Sequence, residues 1–126
     1  MSIKSTLGAD DVPLPVMISI PDKNDFFLLS FAKTLGNCTT FLHTWLTYVG
    51  NKKRAVTYAA HADVNLGQHV GSSSPCSIFP IDVKRNDLRL FETNVLHLEP
   101  AKKFFSLSKG KLDFEVVLDI TEVDDE

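Results

Sequence analysis

No apolar run in this chain of 126 residues reaches the length of a membrane-crossing helix. Cysteine is scarce: with only Cys38 and Cys76, a small scaffold built on several disulfides is excluded. The first residues, Met1 to Thr6, lack the apolar stretch of a secretion signal. The expectation is therefore a soluble, intracellular protein without a membrane segment, or a component of a virion. Basic charge is not in excess either. Thirteen Lys and Arg face sixteen Asp and Glu, for a net charge of −3, so no global field draws the chain to nucleic acid or to an anionic membrane. No stretch of a dozen residues carries a convincing helical period, and no internal repeat is visible. Gly67 and Gly71 open no helix, which excludes a phosphate-cradling loop. Ser72 to Ser74 lack the strand–turn–helix setting that a serine nucleophile needs.

What the chain does have is alternation. Leu112, Phe114, Val116, Leu118 and Ile120 are apolar at every second position, with Asp113, Glu115 and Asp119 between them. A period of two places one side of an extended strand in a core and the other in water, and no helix puts these residues on one face. Extended segments are also read at 16–20, 26–32, 38–49, 55–61, 77–83, 88–91, 93–98 and 104–108. Turn formers separate them, as at Pro21 to Asp25, Gly50 to Arg54, Lys84 to Asp87 and Lys109-Gly110. The residues Phe41 to Val49 are apolar on both faces, so both faces of that strand should be covered. Residues 64–75, rich in Gly and Ser, read as a long loop. About eight strands at this spacing predict an all-β fold, an antiparallel β-sandwich of jelly-roll-like type with little or no helix. A helical turn, if present, belongs near Pro100 to Lys103. The expected organisation is a flexible polar arm at 1–11, one sandwich domain at 12–123 and an acidic end at 124–126.

Few residues combine into chemistry. His61, Asp63 and His69 offer imidazole and carboxylate donors of the kind zinc or iron takes. Their spacing matches no metal-site pattern and neither cysteine joins them, so no metal, cofactor or catalytic residue is expected. Cys38 or Cys76 would need a histidine base nearby to act as a nucleophile; a free cysteine is otherwise a small core hydrophobe. Lys52, Lys53 and Arg54 form the sharpest basic cluster, at an expected hairpin tip. With Tyr58 as a stacking platform they are the candidate contact for nucleic acid or another partner. Phe26, Phe27, Phe31 and Trp45 are the candidate interface aromatics, because aromatics are over-represented where subunits meet.

In outline the chain resembles the coat proteins of small RNA viruses: a polar lead-in, roughly eight strands with loops of mixed length, and a long closing strand. The resemblance is one of layout and implies a shell-forming or ring-forming protein. The lead-in departs from that pattern. Met1 to Asp11 hold one lysine and two aspartates, where a nucleic-acid-packaging arm is strongly basic. The function expected from sequence is thus a non-enzymatic structural protein that self-assembles as a homo-oligomer. The alternative is a small binding module for a peptide, a glycan or single-stranded nucleic acid.

Overall fold

The computed structural model describes residues 1–20, 24–36, 39–50, 57–67, 70–81, 93–107 and 109–123. Among these, nine strands make up two sheets. The first sheet has the order β1-β9-β5-β6, from Ser2–Gly8 (β1), Lys111–Glu122 (β9), Tyr58–Leu66 (β5) and Val70–Cys76 (β6). The second runs from Val16–Ile20 (β2) through Asp25–Gly36 (β3) to Thr39–Val49 (β4). Two short strands share the far edge of β4. Asn94–His97 (β8) pairs antiparallel with Phe41 to Thr44, and Ile78–Pro80 (β7) pairs parallel with Leu46 to Tyr48. The second sheet is therefore mixed, while every pairing in the first is antiparallel.

The sheets pack through one core. The predicted alternation in β9 is present: Leu112, Phe114, Val116 and Leu118 are buried, and Asp113 and Asp119 are exposed. They meet Phe27, Leu29 and Phe31 of β3 and Leu42, Leu46 and Tyr48 of β4. Phe31 and Phe114 touch edge-on across the interior, with ring centroids 5.5 Å apart. The all-β sandwich expected from the sequence is what forms. Its chain moves from sheet to sheet at β1→β2, β4→β5, β6→β7 and β8→β9. It stays within one sheet through β2-β3-β4 and through β5-β6.

Three expectations are corrected. Residues 2–8 are not a flexible arm but an edge strand, paired with β9 from Ser2↔Val117 to Gly8↔Lys111. Its apolar residues, Ile3 and Leu7, fall on the inward register, and Leu7 is 1% exposed. Of the expected loop at 64–75, residues 64–66 are the end of β5 and 70–75 are most of β6. Gly, Ser and Pro are poor strand formers, yet β6 is a sheet edge, where Pro75 interrupts no second ladder. Residues 104–107 are not a strand. A 3₁₀ turn at Glu99–Ala101 leads into a short helix, Lys102–Leu107 (α1), which places Phe105 in the core. The turn after α1 uses left-handed backbone at Lys109 (φ 58°) and Gly110 (φ 84°), and the Gly110 N–H donates to the Phe105 carbonyl at 2.6 Å. That bond caps the helix and turns the chain into β9. The partners of β9 are β1 and β5. The expected strand at 88–91 and the acidic end at 124–126 lie outside the described residues.

Candidate interaction face

Strand register sorts the outward side chains of the two sheets, and their chemistry differs sharply. On the first sheet the outward positions of β9 include Asp113, Glu115 and Asp119, with Asp63 and His61 beside them on β5. Lys4 of β1 approaches Glu115 at 4.0 Å, and Ser2 Oγ donates to Glu115 at 2.8 Å. This face is polar and predominantly acidic.

The second sheet points a different set outward. The register places Met17 and Ser19 of β2 beside Leu28 and Phe26 of β3, followed by Ser30, Ala32 and Thr34. Phe41, His43, Trp45, Thr47 and Val49 of β4 continue the face, with Phe79 of β7 and Val95 and His97 of β8. None of these residues is Asp, Glu, Lys or Arg. The β4 part is closed: Trp45 is 7% exposed, and buried His43 lies between Thr34 Oγ1 at 2.8 Å and Thr93 Oγ1 at 3.0 Å. The β2–β3 part is open, with Met17 59% and Phe26 42% exposed. Large apolar groups on an open sheet face mark an interaction surface more often than they serve a lone monomer.

Beside this open part runs a groove of about 600 Å³ between the edge strands β1 and β2. Ile3, Leu7 and Val16 line it, Phe31 and Phe114 form its floor, and the connecting residues Val12 to Pro15 border it. Leu14 and Val12 are exposed on that connection. Lys33, at the inner end of β3, ties the connection down by donating to the Gly8 carbonyl at 3.2 Å and the Ala9 carbonyl at 3.1 Å. Partial burial lowers the Lys33 pKa, and the carboxylates of Asp11 and Asp10 oppose that shift.

The remaining expected site residues fall as follows. Tyr58 is not a stacking platform. It is buried, and its hydroxyl donates to Asp25 Oδ2 while Tyr48 donates to Asp25 Oδ1 at 2.5 Å. Phe27 and Phe31 are core residues rather than interface residues, because their register turns them towards the first sheet. Phe27 packs between Tyr48 and Tyr58, at 5.4 and 5.2 Å. Trp45 faces outward but is covered, and of the four aromatics Phe26 alone is openly exposed. The reading that both faces of β4 are covered agrees with buried Leu42, His43, Thr44, Trp45 and Leu46. Lys52, Lys53, Arg54, Cys38 and His69 lie outside the described residues.

His61 and Asp63 do come together, at 3.3 Å, and His61 also meets Ser73 Oγ at 2.8 Å. Among the described residues no three metal-ligating groups converge. Cys76 is a buried free thiol whose pKa burial pushes up to about 12, against a smaller opposing effect of the Leu46 backbone. At neutral pH it is a protonated core group and not a nucleophile. Among the described residues no helix is long and apolar enough to cross a membrane.

Sequence reasoning missed two features. The Asp25 carboxyl, read as part of a turn, is the polar centre of an aromatic cluster that joins both sheets. The open β2 edge passed as an ordinary strand. Its signal was the complete absence of charge over residues 12–20, between Asp11 and Asp22. No protein-family model matches the chain, and no curated protein matches it as a relative.

Proposed function

We propose that this protein is a non-enzymatic structural unit that assembles with copies of itself into a ring or shell. The observation that carries the reading is the uncharged outward face of the second sheet, open at Met17 and Phe26. Burying such a face costs no ion desolvation and removes apolar surface from water, at about 25 cal/mol per Å². The opposite face, with Asp63, Asp113, Glu115 and Asp119, keeps its charge in solvent and discourages stacking on that side. The binding-module alternative loses its stacking platform with Tyr58 buried.

The test is molar mass by light scattering from micromolar to millimolar concentration. The expected result is a mass that climbs above the monomer as concentration rises. Replacing the outward Phe26 with Lys should weaken that rise while leaving the melting temperature close to the parent value. A mass fixed at the monomer over the whole range would remove the assembly reading.

A further inference from the structure

We infer that β2 is the strand through which two copies meet: it pairs antiparallel with the β2 of a second copy about a two-fold axis at Ile18. The inference rests on the self-assembly reading and specifies its contact element. Among the described residues, Val16–Ile20 is bonded to β3 on one side only and ends the second sheet. Natural sheets protect such an edge with charge, proline, bulges or extreme shortness. Among the described residues, the edges of the first sheet are protected. Strand β1 carries Lys4, and β6 carries Gly71, three serines and Pro75. Strand β2 reads Val-Met-Ile-Ser-Ile, with no charge, no glycine and no proline.

The surroundings of β2 point to the same occupant. Its inward residues Val16 and Ile20 are only half buried, although they pack on the core. Its outward Met17 is open, as are Val12 and Leu14 just before it. The groove beside it reaches down to the buried rings of Phe31 and Phe114. An added strand would continue the ladder, cover Val16 and Ile20 and extend the uncharged face past Met17 and Phe26. The strand that fits must itself be neutral and apolar. β2 meets that description, and antiparallel pairing about a two-fold makes one patch complementary to itself. With Ile18 on the axis, Met17 of one copy lies opposite Ser19 of the other, and no like charges face each other.

That register gives a charge-swap test. The double variants Met17→Lys/Ser19→Lys and Met17→Glu/Ser19→Glu each place like charges opposite one another twice per dimer. Both positions are exposed, so each variant should melt close to the parent protein. Each alone should associate more weakly by on the order of tenfold, and an equimolar mixture should regain parental association. Amide hydrogen exchange on the parent gives a second readout: amides within residues 16–20 should slow as concentration rises. If the parent associates but neither variant weakens it and these amides do not slow, the edge is not the contact, and assembly through the sheet face still stands. If the variants separate but the mixture does not recover, the Ile18-centred antiparallel pairing is overturned. A parent that stays monomeric throughout overturns both the inference and the reading beneath it.

Discussion

Single residues hold the two sheets in place. Asp25 accepts from Tyr48 of its own sheet and from Tyr58 of the other, so one carboxyl ties both layers, and Phe27 fills the space between the two rings. A buried polar group is tolerable only when so partnered. Cys76 makes a contribution that depends on pH. Its thiol stays protonated in the fold up to about 12, whereas a cysteine in the unfolded chain ionises from about 9.0. Below the unfolded value the two states bind the same proton and stability is unaffected. Between the two values the folded state holds a proton that the unfolded state has lost, so stability falls as pH rises. The slope is about 1.4 kcal/mol per pH unit. Denaturant unfolding from pH 8 to 11 should therefore show Cys76→Ala losing less stability than the parent. Parallel curves for the two proteins would mean that the thiol is not held protonated.

At the level of elements, β1 decides whether the chain begins with an arm or with part of the sandwich. Its pairing with β9 spans Ser2 to Gly8, and it delivers Leu7 to the core. Leu7→Ala should cost about 2–5 kcal/mol of stability, the range for a fully buried leucine. A disordered arm would tolerate the same change within about 0.5 kcal/mol. Thermal or urea unfolding of the single variant distinguishes the two. β9 was fully legible in the sequence, because a strand at the centre of a sheet has one wet face and one dry face and so shows a clean period of two. Strands β1 and β6 were not. Edge strands make half the ladder bonds and bury less, so their sequences are under weaker constraint, and serine, glycine and proline blur the period. A helical turn near Pro100 to Lys103 was legible, but the rest of α1 was read as a strand because Phe104 and Phe105 fit a strand as well as a helix over so short a run.

At the scale of the molecule, the described residues give the two sheets unlike outer faces, one predominantly acidic and one without Asp, Glu, Lys or Arg. Copies carrying a net charge of −3 repel at long range, while the surface proposed to join them is indifferent to ions. Screening shortens that repulsion from about 30 Å at 0.01 M salt to about 8 Å at 0.15 M. Self-association should therefore tighten by a few-fold as salt rises over this range, read by sedimentation or light scattering. Loosening over the same range would point to an interface held by ion pairs. The arrangement also explains why the candidate site was only partly readable. Phe26 and Phe27 are neighbours with the same side chain, yet one is exposed and the other lies in the core.

The sequence alone determined that the chain is built of strands, where its closing strand lies and which side of that strand is dry, because local alternation follows from backbone geometry and needs no partner. It also determined that no charge falls on residues 12–20. Tertiary structure decided the rest: which strands are edges, that Tyr58 and Phe27 point inward together, and that Met17 and Phe26 share one open face. Those outcomes depend on pairing between residues far apart in the chain, and neither propensity nor period carries information about which distant strand will complete a ladder.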